Sequence, residues 1–253
     1  MSSSSSSLHI LPFTLNNPVA FSLDPDGPFP VLFRGIDLSA FTGKTVLITG
    51  ATGGCGMECA KVFARVGARL VVTARSKEKG DIAAREIIHD AVKAGGDGGE
   101  VVDVDVLELD LGSWESLRRF KEELEGRYEH LYLVILNARV NVLSTLLTSL
   151  ITIPPLKASP SSPSRLILIS SEAHAWSHPR QSTFPLLLKT LNDEALYMPY
   201  KRYQVSKLLL VLCAQELAQR LGSEKVLVAS ASSGVHAEWP VPRVQFEVVG
   251  EGH

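Results

Sequence analysis

KTVLITGATGGCGMECAKVFARVG, residues Lys44 to Gly67, is the stretch that decides the fold. Its first part, Thr45–Ile48, is a β-branched and apolar run that is typical of a parallel strand buried on both faces. A glycine-rich turn at 49–56 follows, and helix-compatible residues resume at Met57. Glycines let a backbone approach a phosphate closely, and the first N–H groups of a helix attract negative charge. This order of elements indicates a phosphate site, the alternative being a turn without a ligand.

Length and composition describe one globular domain. With 253 residues, 45% of them hydrophobic, the chain can bury a full core and is most simply a single α/β domain. A net charge of −2 provides no electrostatic footprint for nucleic acid or an anionic membrane, so neither is expected as a partner. Cys55, Cys59 and Cys213 form no even disulfide framework and lack the neighbours of a metal site. We therefore expect no metal and a reducing, cytoplasmic compartment.

The N-terminal segment differs from the rest of the chain. Residues 1–40 contain a serine run and five prolines, show no sustained periodicity, and carry no basic residue before their short apolar patch. This predicts a flexible extension rather than a secretory signal, followed by the folded domain at 41–253. The most apolar later stretch, Val142–Leu156, is too short and too rich in Ser and Thr to span a bilayer.

Six apolar or alternating stretches predict strands, with helix-compatible segments between them. We expect strands at 45–48, 69–73, 101–109, 131–136, 165–169 and 226–229, and helices at 81–94, from the N-cap Ser113 to Glu125, and at 200–221. Strands that alternate with helices predict a doubly wound parallel sheet covered on both faces. Right-handed crossovers would then bring the strand ends beside a shared ligand.

Arg75 follows the second strand, where a dinucleotide fold meets the adenosine ribose. An acidic residue at this place accepts a hydrogen bond from a 2′-hydroxyl, whereas an arginine suits a 2′-phosphate. The chain has Arg75 and no acid just before it, which favours NADP(H), with NAD(H) as the alternative. Arginines are also common on surfaces after strands, so this residue alone does not decide the cofactor.

Tyr203 and Lys207 lie four residues apart, on one face of the last predicted helix. A carbonyl that is reduced by hydride also needs a proton, and an ordinary phenol is a poor donor near neutrality. A neighbouring cation favours the phenolate and lowers the pKa of a tyrosine toward the working range. Taken alone, a Y-x-x-x-K pair is commonplace on solvated helices.

Five short motifs occur together and in a fixed order: T-G-x-x-x-G-x-G from Thr49, Asp110-Leu111, Asn137-Ala138, Ser170-Ser171 and Y-x-x-x-K from Tyr203. This set resembles the short-chain dehydrogenase/reductase family, and the insert after Ser171 is most similar to its retinol-dehydrogenase-like and fungal branch. The resemblance implies a Rossmann-type sheet of order 3-2-1-4-5-6. It also implies an oxidoreductase that transfers hydride between a nicotinamide and a small carbonyl or alcohol substrate.

The resemblance also implies roles for single residues. Tyr203 would be the acid/base, Lys207 the partner of its phenolate and of the nicotinamide ribose, Ser171 the group that positions the substrate oxygen, and Asn141 the residue that orders a water in a proton relay. The implied cofactor-binding residues are Thr49, Gly50, Thr52, Gly53, Gly54, Cys55, Gly56, Arg75, Asp110, Leu111, Asn137, Ala138, Tyr203 and Lys207. Asp110 could equally be a solvated carboxylate, and the Ser170-Ser171 pair could simply cap a strand end. Association of two copies through the helices at Val142 and Tyr203 is expected by the same analogy.

The chain departs from the family pattern in three places. Arg139 replaces the glycine of the family's Asn-Ala-Gly motif, and Asn141 follows Asn137 so closely that a loop and the first part of a helix are missing. Ser233-Gly234 stands in place of Pro-Gly, and the short tail lacks most of the substrate-lid helices and the last strand. The chain thus has a complete cofactor half and a shortened substrate half. The alternatives are a catalytically impaired dinucleotide-binding protein, the product of a shortened gene model, or a nucleotide-dependent methyltransferase, which would leave the Tyr203/Lys207 pair unexplained.

Overall fold

A computed structural model describes residues 38–95, 102–138, 142–157, 163–177, 189, 191, 193–221, 225–234 and 243–248. Strands and helices alternate along these residues. The strands are β1 (Thr45–Thr49), β2 (Arg69–Ala74), β3 (Val104–Glu108), β4 (Leu133–Leu136), β5 (Ser164–Ser171), β6 (Val226–Gly234) and β7 (Arg243–Val248). The helices are α1 (Gly54–Arg65), α2 (Lys77–Gly95), α3 (Trp114–Arg127), α4 (Val142–Lys157) and α5 (Pro199–Leu221), with short 3-10 turns at Leu38–Phe41, Glu172–Trp176 and Glu194–Leu196.

The described strands form one sheet of order β3-β2-β1-β4-β5-β6-β7. The first six strands are parallel, which confirms the predicted order 3-2-1-4-5-6. A further strand, β7, pairs antiparallel with β6 and places Val244 opposite Ser233. This strand corrects the expectation that the tail contributes no last strand. Its alternation of apolar and polar residues, RVQFEV, is a strand signal that follows two prolines.

Both faces of the sheet are covered, as predicted. One apolar cluster packs β1, β4 and β5 against α3 and α5, and includes the fully buried Phe120 and Leu166. The second cluster packs the opposite face against α1 and α2 and includes Phe63 and Ile87. All four residues of β4 are buried, as expected for a central parallel strand. Phe41, from the turn before β1, joins the second cluster with its ring 5.0 Å from that of Phe63.

Helix ends differ from the sequence predictions in specific places. α1 begins at Gly54 rather than Met57, and α2 begins at Lys77 rather than Asp81. Gly80 lies in the first turn of α2, and a glycine there weakens the sequence signal for the start of the helix. The packing nevertheless requires a glycine, because an added Cβ would lie 2.2 Å from Cγ1 of Val106. The predicted N-cap is confirmed, since the Ser113 hydroxyl accepts a hydrogen bond from the N–H of Ser116.

Candidate functional site

The glycine turn connects β1 to α1 at the carboxyl end of the sheet. Gly50 has φ +69° and Gly54 has φ +56°, a left-handed conformation that favours glycine. Gly56 needs the absence of a side chain for another reason. An added Cβ there would lie 2.5 Å from both Asn137 Nδ2 and the Gly50 carbonyl oxygen. The glycines therefore permit the turn itself and its close approach to the end of β4.

Thr49 and Asn137 tie this turn to β4. The Thr49 hydroxyl accepts hydrogen bonds from the N–H groups of Asn137 (3.0 Å) and Ala138 (3.2 Å). In return, Asn137 Nδ2 donates to the carbonyl oxygens of Thr49 and Gly50, both at 3.2 Å. The predicted Asn-Ala pair thus holds the last residues of two neighbouring strands in fixed register. Thr49 is only 1% exposed, so it acts here as a structural acceptor beneath the turn.

A cavity of about 650 Å³ opens above the turn. Its lining includes most of the predicted cofactor-binding residues, namely Gly50, Thr52, Gly53, Gly54, Cys55, Arg75, Leu111, Asn137 and Ala138. A Cβ added to Gly53 or Gly54 would meet no protein atom within 4 Å, so the backbone here is open to the cavity. Gly53, the N-cap of α1, makes no side-chain capping bond, which leaves the first N–H groups of the helix for an anion. The residues present therefore fit a dinucleotide's pyrophosphate.

Two cations line the cavity where β2 ends and α2 begins. Arg75 was predicted, whereas Lys79 was missed because the first turn of α2 was not expected in the sequence. Within the described part of the chain, neither cation has an ion-pair partner, while nearby Lys77 pairs with Asp81 at 3.2 Å. The acidic lining residue, Glu86, is engaged by Lys61 at 2.9 Å. This end of the cavity can therefore take an additional anionic group.

Asp110 and Leu111 follow β3, and of the two only Leu111 lines the same cavity. The Asp110 carboxylate accepts a hydrogen bond from the Gly112 N–H at 2.9 Å, and its own N–H donates to the Ser116 hydroxyl at 2.8 Å. Leu111 lines the cavity, and its carbonyl accepts a hydrogen bond from the Ser144 hydroxyl of α4. Asp110 is thus partly committed to its own loop, whereas Leu111 faces the ligand space.

Tyr203 and Lys207 lie on α5, beside the end of β5. Lys207 is 7% exposed, and its Nζ donates to the Ile169 carbonyl at 3.0 Å and lies 5.7 Å from the ring centroid of Tyr203. Tyr203 is 39% exposed. The Ser170 hydroxyl donates to the Lys207 carbonyl at 2.9 Å, which anchors this part of the helix to the strand. The predicted pair therefore consists of a buried cation, Lys207, and a solvent-accessible phenol, Tyr203, at the end of β5.

Ser171 is the last residue of β5 and is buried. Its hydroxyl accepts a hydrogen bond from the Ala173 N–H at 3.3 Å, so it also caps the 3-10 turn Glu172–Trp176. His174 Nδ1 lies 2.7 Å from the Ser171 carbonyl oxygen, a contact that the sequence analysis missed. The other serine, Ser170, has its hydroxyl turned to α5, which supports the choice of Ser171. Asn141 lies outside the described residues.

The cysteines near the turn differ in their surroundings. Cys55 lines the cavity, while burial raises the pKa of the Cys59 thiol to about 12, with smaller contributions from Cys55 and Glu58. A thiol with so high a pKa remains protonated at neutral pH and is a poor nucleophile. Cys59 therefore serves as a small packing residue of α1.

Comparison with known proteins identifies the family. The short chain dehydrogenase family model matches residues 44–153. A short chain dehydrogenase of Alternaria solani, sol3, is 32% identical over 230 residues, which cover 81% of this chain and 78% of the fungal protein. This chain belongs to the short-chain dehydrogenase/reductase family. Retinol dehydrogenase 14 of Mus musculus is also 32% identical, over 79% of this chain and 64% of the mouse protein.

The family assignment agrees with the fold. A solved complex of Pseudomonas aeruginosa RhlG with NADP superposes with a TM-score of 0.61 at 23% identity, over 81% of this chain and 76% of that one. Members of the family are oxidoreductases that act on alcohol or carbonyl groups with NAD(P). Across several curated relatives, this family member spans between 55% and 78% of their length. None of the described helices combines the length and apolar character that crossing a membrane requires.

Proposed function

We propose that this protein is an NADP(H)-dependent oxidoreductase that interconverts a carbonyl and an alcohol. The observation that carries the proposal is the buried Lys207 Nζ, held 3.0 Å from the Ile169 carbonyl at the end of β5 and 5.7 Å from the Tyr203 ring centroid. The carboxyl ends of parallel strands meet at one edge of a sheet, so this pair and the glycine turn open on the same side.

The side chains at this edge suit proton transfer to a carbonyl oxygen. The bound nicotinamide would supply or accept the hydride. The Tyr203 phenol would give its proton to the substrate oxygen, and the Lys207 ammonium would stabilise the phenolate that remains. The Ser171 hydroxyl would donate a second hydrogen bond to the same oxygen and hold it beside the phenol. In the oxidative direction the phenolate would take the alcohol proton instead.

Arg75 and Lys79 support NADP(H) over NAD(H). Both line the adenosine end of the cavity, and no described acidic residue pairs with either of them. A guanidinium just before a helix and an ammonium in its first turn, lining the same cavity, can both bind a 2′-phosphate, and each charge-assisted hydrogen bond contributes about 1.5–3 kcal/mol. NADH lacks this phosphate and gains nothing from either side chain.

The test of the cofactor assignment compares NADPH and NADH in direct binding measurements. Each of Arg75→Ser and Lys79→Ser should weaken NADPH binding roughly 10- to 100-fold and leave NADH binding within about twofold. Lys93→Ser, at an exposed position in the last turn of the same helix α2, is the matched control and should change neither. Equal weakening of both cofactors by the Arg75 and Lys79 variants would argue against recognition of a 2′-phosphate.

The test of the reaction follows NADPH consumption with a panel of ketones and aldehydes. Tyr203→Phe should lower kcat about 10²- to 10⁴-fold, because it removes the proton donor. Tyr200→Phe, at an exposed tyrosine of the same helix, should retain full activity. Turnover that survives Tyr203→Phe would overturn the mechanism.

A second candidate is a dinucleotide-binding protein without turnover. It is favoured by the short link between Leu136, the end of β4, and Val142, the start of α4, which contains Arg139 in place of the family's glycine. NADPH binding without turnover across the panel would support this candidate. Loss of binding as well would point to a defective product.

A further inference from the structure

We infer that His174 is a positioning residue that fixes the Ser171 hydroxyl for the reaction. The inference rests on the proposed function, but its starting point is a feature of the sheet. β4 pairs with β5 only as far as Leu168, whereas β6 pairs with β5 through Ser171. The last three residues of β5 therefore extend beyond one of their two neighbouring strands. Backbone carbonyls on that open side need other donors.

Two side chains supply those donors. Carbonyls of residues two apart along a strand point to the same side, and Ile169 and Ser171 are such a pair. The Ile169 carbonyl accepts from Lys207 Nζ at 3.0 Å, and the Ser171 carbonyl lies 2.7 Å from His174 Nδ1. Lys207 and His174 thus hold two successive outward carbonyls of the same overhanging strand end. Lys207 belongs to the proposed proton-transfer pair, and His174 would hold the strand end that carries Ser171.

The contact with the Ser171 carbonyl determines which nitrogen of the His174 ring carries the hydrogen. A carbonyl oxygen can only accept, so His174 Nδ1 must carry the hydrogen, and Nε2 holds the lone pair in the neutral ring. This donor is retained when the ring is protonated, so the contact does not depend on the charge of His174.

The consequence falls on the Ser171 hydroxyl. The hydroxyl oxygen accepts from the Ala173 N–H at 3.3 Å, and the Ser171 carbonyl accepts from the ring of His174, three residues further along the chain. With the peptide plane and one oxygen lone pair fixed in this way, the hydroxyl still has its own proton to donate to a substrate oxygen. A small displacement of this hydroxyl would lower kcat considerably, because the reacting atoms must stay in position.

The experiment compares His174→Ala with His174→Asn, whose amide nitrogen can occupy the Nδ1 position, and uses the exposed His89→Ala as control. His174→Ala should lower kcat about tenfold, with KM and the Kd for NADPH within about twofold of wild type. His174→Asn should restore most of the rate, and His89→Ala should change nothing. In a Ser171→Ala background, His174→Ala should cause no further loss, because the group it positions is gone.

Three outcomes would overturn the inference: a wild-type rate in His174→Ala, an Asn variant as slow as the Ala variant, or an equal loss in the Ser171→Ala background. If His174→Ala does not fold, the rate of the His174→Asn variant and the NMR spectrum of the wild-type protein test the inference instead. ¹⁵N NMR of the neutral imidazole in the wild-type protein should show a protonated Nδ1 and an unprotonated Nε2, and the opposite tautomer would refute the contact. If no substrate is turned over, the proposed function fails, while the NMR result still tests the contact.

Discussion

Replacing Gly56 by alanine tests the geometry on which the cofactor site depends. The added Cβ would lie 2.5 Å from the Gly50 carbonyl oxygen and 2.5 Å from Asn137 Nδ2, so the backbone of the turn must move. Overpacking of this kind costs about 1–3 kcal/mol, and the displaced Asn137 amide would lose two hydrogen bonds of about 1 kcal/mol each. We expect a destabilisation of about 3–5 kcal/mol, which corresponds to a fall in Tm of roughly 6–20 °C for a domain of this size.

Gly53→Ala is the matched control for stability. Gly53 has an extended backbone, φ 169°, and its added Cβ would meet no protein atom within 4 Å, so the free energy of unfolding should change by less than about 0.5 kcal/mol. Because Gly53 lines the cavity, the variant should nevertheless weaken NADPH binding. Thermal unfolding followed by circular dichroism, with calorimetric titration of NADPH, measures both effects. A Gly56→Ala protein that melts within 1–2 °C (roughly 0.5 kcal/mol) of wild type would refute the reasoning.

Two further predictions concern Thr49, at the end of β1, and Cys59, within α1. Thr49→Val removes the acceptor for the N–H groups of Asn137 and Ala138, so it should lower the free energy of unfolding by about 2–4 kcal/mol in urea denaturation, whereas Thr49→Ser, which keeps the hydroxyl, should lose about 1 kcal/mol. The Cys59 pKa, raised from 9.0 to about 12, predicts a contribution to stability that is complete below pH 9 and lost as the pH rises toward 12. Between pH 8 and 10.5 the wild type should therefore lose about 1–2 kcal/mol more than Cys59→Ala, and identical pH profiles would contradict the burial of this thiol.

Local patterns predicted the part of the site that is local in sequence. The β1–turn–α1 unit and the Ser113 cap are encoded within a few residues, so periodicity and glycine spacing were sufficient. Lys79 and His174 were missed for a different reason. Lys79 reaches the cavity only because α2 begins four residues earlier than its pattern suggests. The role that we infer for His174 depends on where β4 ends: its pairing with β5 stops at Leu168, and no local sequence pattern shows this register.

Helix α4 shows a second limit of hydrophobic patterning. Its hydroxyl-bearing residues are buried, whereas Leu143 and Leu150 are 54% and 49% exposed. Several of these hydroxyls bond within the helix, since Thr148 donates to the Ser144 carbonyl at 2.8 Å and Ser149 to that of Thr145 at 2.9 Å, while Ser144 itself donates to the Leu111 carbonyl outside it. Small, internally bonded side chains can then face the core, and a hydropathy pattern alone would predict the opposite orientation.

The position of β1 between β2 and β4 bears on how the molecule assembles. Pairing of β1, β2 and β3 joins segments that are close in the chain, whereas β5 completes its pairing only with β6, at Val226–Gly234. Because N-terminal segments are synthesised first, the nucleotide cradle, whose residues are all present once Ala138 has been made, should take shape early, even on a partly synthesised chain. The serine, tyrosine and lysine would come to order last. A nascent or truncated chain could then hold nucleotide before it could act on any substrate.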